Sequence, residues 1–307
     1  MLRSIHAILL ACALALLGVP AVAGQVPPSR ADATLTVVAT TTQVRDFVGQ
    51  VGGDRIRLLP ILAPDADPHD YQPTADDARK FAQADVVFAN GLGIETWLDP
   101  LLSNVRPGVP IVRLGEESGI RLLRGLDDEE DDADPHVWQG PINAQKIVAR
   151  IRDTLAAADA DGATTYQANA AAYTDQLTQL DRWIGDQIQT IPAAQRKLVT
   201  NHDAFMYYVM RYGLTFVGSV IPSLSTDAEP SAAETQRLVT SIADQHVKAI
   251  YTETSVNPRL EQQIAQLAGV KVYSSLYGDA LGQPGTPGET YIGSMRFNTE
   301  QIVEGLR

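Results

Sequence analysis

The chain has 307 residues, with 24 basic against 37 acidic side chains and a formal charge of −13. That acidity excludes nucleic acid and anionic membrane surfaces as partners and suits cations. The one cysteine, Cys12, lies near the N-terminus, so no disulfide framework is available, and no thiolate metal ligand survives removal of a leader.

In chain order, residues 1–23 read as a signal peptide. Arg3 supplies the positive start, an apolar run extends from Ala7 to Val22, and Ala21-Val22-Ala23 fits a cleavage site. Removing this segment, which carries only Arg3, takes the charge from −13 to −14. Leu9-Leu10-Ala11-Cys12 offers lipidation at Cys12 as the other route. It is disfavoured because few apolar residues precede it and the run continues well beyond. Cleavage after Ala23 and a periplasmic product are expected. Residues 24–33, with Pro27 and Pro28, read as a flexible exit.

About 280 mature residues are long for one compact core and comfortable for two lobes. In the first, 34–160, strands are predicted over 35–39, 55–62, 86–89 and 110–114. Helices are predicted over 42–51, from Thr74, over 95–102 and over 141–157, with Pro141 acceptable in a first turn. From 164 to 191 one helical face carries Tyr173, Leu177, Leu180, Ile184 and Ile188. A helix of that length, roughly 40 Å, is expected as a rigid connector over 161–191. The alternation restarts in a second lobe, 192–307. Strands are expected over 197–201, 214–221, 249–252 and 270–274, and helices over 204–212, 231–245, 258–268 and from about Thr290. This alternation implies an α/β protein of two Rossmann-like βα lobes with parallel-rich sheets.

Only five histidines are present, and two stand in copies of one pentapeptide: Asp67-Pro68-His69-Asp70-Tyr71 and Asp134-Pro135-His136-Val137-Trp138. Proline fixes its own φ and restricts the residue before it, so each histidine is presented from stiff backbone. His202 follows a predicted strand in Asn201-His202-Asp203-Ala204-Phe205, and Asp279 follows another in Leu276-Tyr277-Gly278-Asp279. Ligands of open α/β sheets gather at the carboxyl ends of strands. A single loop histidine is more often bonded to a backbone group, but the repeat together with a third site favours metal ligands. His69, His136, His202 and Asp279 are therefore expected to meet in a cleft between the lobes. Three imidazoles and a carboxylate suit zinc.

The acidic run 127–134 has seven carboxylates in eight positions and reads as a solvated loop, with docking of a metal donor or permease as its other use. His246 is expected at a helix C-terminus, where the dipole favours it. Glu253 is expected either behind a ligand at the cleft or as a helix cap. Tyr71 and Trp97 are expected to pack.

Taken together, these segments resemble the periplasmic metal-binding proteins of high-affinity zinc and manganese ABC importers, the cluster that includes TroA and ZnuA. The resemblance spans essentially the whole mature chain. It rests on Asp67 to Pro73, Asn90-Gly91-Leu92-Gly93-Ile94-Glu95, Asp134 to Trp138, Asn201 to Phe205, and Glu253 with Asn257-Pro258. It implies a single long helix between lobes and a metal held by the residues matching His69, His136, His202 and Asp279. It also implies an ABC permease with its ATPase as partners, a periplasmic metal donor as a further one, and a monomeric, non-enzymatic receptor. Manganese members often have glutamate where His202 stands. Imidazole favours Zn2+ and harder carboxylates favour Mn2+, so Zn2+ is the expected cargo. An Mn2+-specific or mixed receptor is the alternative, since some members with this donor set take either ion. From other classes, a zinc hydrolase would need an open fourth position, and a surface adhesin would need Cys12 lipidated or another anchor.

Overall fold

The computed structural model describes residues 34–125 and 132–307. The leader with Cys12, the exit segment and positions 127–131 of the acidic run lie outside the described residues. Five consecutive buried residues, Leu-Thr-Val-Val-Ala, form β1 (Leu35–Ala39). A strand covered on both faces reads as a continuous run of this kind. It is flanked by β2 (Ile56–Pro60) and β3 (Val86–Ala89). With β4 (Ile111–Arg113) the sheet order is β2-β1-β3-β4, parallel throughout and without register shifts.

Helix α1 (Thr42–Gly52) starts where the Thr41 hydroxyl accepts the Val44 N–H. α2 (Ala75–Gln83) starts at a reciprocal capping box between Thr74 and Asp77. α3 (Leu98–Leu102) begins later than the expected 95, because Asn90 to Glu95 is a turn folded around the Glu95 carboxylate. That group accepts the N–H of Asn90 at 2.7 Å and of Gly91 at 2.8 Å, and the Thr40 hydroxyl at 2.6 Å. Gly91 has φ +82, and a Cβ there would strike the Glu116 carboxylate, so glycine is required. A short α4 (Leu114–Glu117), absent from the sequence reading, follows β4.

Helix α5 (Pro141–Ala158) leads into α6 (Ala163–Gln189), whose 27 residues span roughly 40 Å. No side-chain cap holds the start of α6 at Gly162. Burial of Tyr166, Tyr173, Leu177, Leu180, Ile184 and Ile188 holds it instead. At about 1.5–3 kcal/mol for each buried aliphatic residue, that stripe outweighs any missing cap. Its neighbours are α5, α1 and the final helix, α10 (Tyr291–Leu306).

After α6 the strands form two parallel pairs rather than one sheet. β5 (Lys197–Thr200) pairs with β6 (Thr215–Ser219), β7 (Ala249–Glu253) pairs with β8 (Lys271–Leu276), and β5 lies alongside β7. Each pair carries a register shift, between Leu198 and Val199 and between Tyr251 and Glu253. Helices α7 (Met206–Tyr212), α8 (Ala232–Asp244) and α9 (Arg259–Ala268) complete this half. His246 stands just beyond α8 with φ +55, as part of the turn that ends the helix.

Candidate metal centre

The two Asp-Pro-His copies fold alike. Asp67 Oδ1 accepts the His69 backbone N–H at 2.8 Å, and Asp134 Oδ1 accepts the His136 backbone N–H at 2.9 Å. Each is an aspartate bonding the amide two residues on, a turn this residue type favours. Proline stiffens the peptide between, and the histidine leaves the turn in a defined direction. The copies differ in what else the aspartate does. Asp134 Oδ1 also takes the His136 Nδ1–H at 2.7 Å, whereas Asp67 Oδ2 accepts the Thr226 hydroxyl at 2.7 Å, from the other half of the chain. Sequence reasoning credited the proline and overlooked the aspartate, although the repeat displayed both.

The aromatic positions of the motif also differ. Tyr71 packs edge-on to Trp97 with ring centroids 5.0 Å apart, and the Trp97 indole donates to the Pro68 carbonyl at 2.8 Å. Trp138 lies 5.4 Å from the His136 ring.

His202 follows β5 by two residues, beside its register shift; bulges of this kind re-aim side chains near functional sites. Its Nδ1–H donates to Glu253 Oε1 at 2.9 Å, with Asn201 Oδ1 at 3.2 Å. Glu253 ends β7, so this anchor joins the two strand pairs. With Nδ1 carrying the proton in the neutral rings of His136 and His202, the Nε2 atoms that keep a lone pair lie 3.3 Å apart.

Asp279 lies beside them. Its Oδ2 is 3.3 Å from His69 Nε2 and 3.1 Å from His202 Nε2, its Oδ1 is 3.5 Å from His136 Nε2, and the two imidazole nitrogens of His136 and His202 are 3.3 Å apart. Bonds of about 2.0–2.2 Å around a tetrahedral ion put neighbouring donors roughly 3.3–3.6 Å apart. His69 Nε2 and both Asp279 oxygens are buried without a hydrogen-bond partner, a costly arrangement unless something binds them. Among the described residues, no other group of three or more His, Cys, Asp or Glu donors converges in this way.

Three of the four residues are sealed from solvent. His69, 6% exposed, also lines a cavity of about 370 Å³ with Leu92, Ile94, Pro135, Ser223 and Leu224. Burial by itself would disfavour the imidazolium of His202, but Glu253 and Asp279 beside it more than offset this and raise its pKa well above the usual histidine value. Burial likewise opposes ionisation of Asp279, yet His202 and His136 hold its carboxyl well below the usual range. The cluster thus carries a buried anion facing imidazoles, an arrangement a divalent cation would complete.

The chain matches the family described as "ZnuA: Zinc-uptake complex component A periplasmic" over residues 37–305. It is 34% identical over 272 residues to the manganese-binding lipoprotein MntA of Halalkalibacterium halodurans, covering 89% of this chain and 88% of that protein. To the manganese ABC transporter substrate-binding lipoprotein PsaA of Streptococcus mitis it is 30% identical over 278 residues, 89% of each. Its fold matches the periplasmic zinc binding protein TroA from Treponema pallidum with a TM-score of 0.83 at 30% identity, over 89% of this chain and 99% of that one.

Proposed function

The chain belongs to the zinc-uptake component A family, the substrate-binding components of metal ABC importers, and from that premise we propose that it captures one Zn2+ between His69, His136, His202 and Asp279 for delivery to a permease and its ATPase. The observation that carries this reading is the convergence of three imidazole nitrogens and a carboxylate, with buried donor atoms that have no partner of their own. Imidazole-rich sets favour zinc, and zinc outranks manganese at any nitrogen–oxygen site. In this ligand set Asp279 takes the position a catalytic water would need, so the proposed role is transport rather than hydrolysis.

Manganese is the second reading. MntA and PsaA are named for manganese, and both Asp279 oxygens face the imidazoles, so a bidentate carboxylate would raise the coordination number. Equilibrium dialysis of stripped and reloaded protein, with metal analysis, should find about one tight Zn2+ per chain and weaker Mn2+. A stoichiometry near zero for both ions would overturn the receptor reading; a preference for Mn2+ would overturn the choice of zinc.

The protein is proposed to act outside the cytoplasm. MntA and PsaA are named lipoproteins, which supports processing at Leu9-Leu10-Ala11-Cys12 over cleavage after Ala23. The intact mass of the mature protein separates a lipidated Cys12 start from a Gly24 start.

A further inference from the structure

Asp279 follows β8 and is a second-half residue by chain order, but its loop is attached to the first half. The Gly278 carbonyl, one peptide before it, accepts the Trp138 Nε1–H at 3.0 Å and the Gln139 Nε2–H at 3.2 Å, with Gln43 Nε2 at 3.5 Å. Two residues after it, the Leu281 N–H donates to the Thr42 hydroxyl at 2.8 Å, and the Leu281 carbonyl accepts the Asp65 N–H at 2.9 Å. Asp279 is therefore bracketed on both sides by groups from before α6. Gly278 also has no room for a side chain, because a Cβ would meet the Glu253 carboxylate.

A carbonyl has two lone pairs, and two well-placed N–H groups occupy both. Trp138, Gln139 and Gln43 are all buried, so water cannot replace a lost donor without rearrangement. We infer that Trp138 and Gln139 are positioning residues for Asp279: they fix the Gly278–Asp279 peptide so that the carboxylate faces the imidazoles. The turn that presents His136 thereby also aims a second ligand, through a carbonyl 140 residues away from its indole. His69, His136 and Asp279 then form a three-donor set on one frame, and His202 closes it from the other side. This rests on the ligand set proposed above.

The test uses Trp138→Phe, which keeps an aromatic ring and removes the N–H, and Gln139→Met, which keeps length and removes the amide. Zinc affinity and release rate are measured by chelator competition and stopped flow, each in the wild-type and Asp279→Ala backgrounds. Each single change should weaken zinc by about 10–100-fold, the range typical of groups that orient metal ligands, chiefly through faster release. In the Asp279→Ala background the same changes should leave the residual affinity unaltered. Equal weakening in both backgrounds, or no weakening in either, overturns the inference while leaving the ligand set standing. If Asp279→Ala itself leaves zinc affinity unchanged, the ligand set falls and takes the inference with it. Should Trp138→Phe not fold, Gln139→Met carries the same comparison.

Discussion

The two halves of the molecule hold their histidines by different physics. Before α6, four strands form one parallel sheet in unbroken register, and His69 and His136 leave aspartate–proline turns closed within three residues. After α6, the strands fall into two pairs, each with a register shift beside the residue that matters: β5 before His202, β7 before Glu253. His202 is oriented by a carboxylate 51 residues away in sequence. One half places its two motif histidines through local backbone chemistry; the other places His202 through side chains brought together by folding.

The largest expected effect that separates the halves is acid release. Metal binding needs neutral imidazoles, and the pKa of His202 is raised well above the usual value by Glu253 and Asp279 against the penalty of burial. The protonated ring is favoured below that raised pKa, so affinity is full above it and falls as pH drops through it. Asp279, held well below the usual carboxyl range, stays ionised throughout. Zinc titrations across pH should show affinity falling as pH drops through the raised His202 pKa, with a proton taken up by the ring as the metal leaves. In a His202→Ala protein that dependence should weaken; an unchanged pH dependence would mean that it does not arise from His202.

A smaller effect compares the two carboxylate anchors. Glu253→Ala and Asp134→Ala should each weaken zinc by about 10–100-fold, measured by chelator competition. The Asp134 change should also lower the melting temperature of metal-free protein, because Asp134 closes a backbone turn as well as holding the His136 ring. Equal thermal behaviour of the two variants would erase the distinction between local and long-range placement.

Next in size is selectivity. His202→Glu exchanges the single second-half imidazole of the proposed site for a harder donor and should lower the zinc-to-manganese affinity ratio by at least about tenfold, or 1.4 kcal/mol. Competition titrations with both ions check it, and an unchanged ratio would mean that His202 does not coordinate. The smallest expected effect is on shape. α6 runs unbroken for 27 residues and packs against α1, α5 and α10, so scattering curves of metal-free and zinc-loaded protein should nearly superimpose. A clear fall in radius of gyration on loading would replace local release with hinge closure.

Much of this was legible in the residues themselves. The apolar runs of β1 and β3 and the stripe from Tyr173 to Ile188 are local signals, and the elements formed where those signals stood. The two Asp-Pro-His turns are equally local, since their aspartate, proline and histidine act within three positions. Glu95 misled the helix reading because its carboxylate closes a turn that only a bound backbone can reveal.

Sequence alone determined the α/β alternation, the long helix and the candidacy of His69, His136, His202 and Asp279, because periodicity and turn chemistry are encoded over a few neighbouring residues. Tertiary structure alone decided that the second-half strands form two pairs, that Glu253 accepts the His202 Nδ1–H instead of capping a helix, and that Trp138 holds the carbonyl before Asp279. Those outcomes depend on hydrogen bonds between residues 51 and 140 positions apart. Such partners are selected by the packing of the whole core, which no short window of sequence contains.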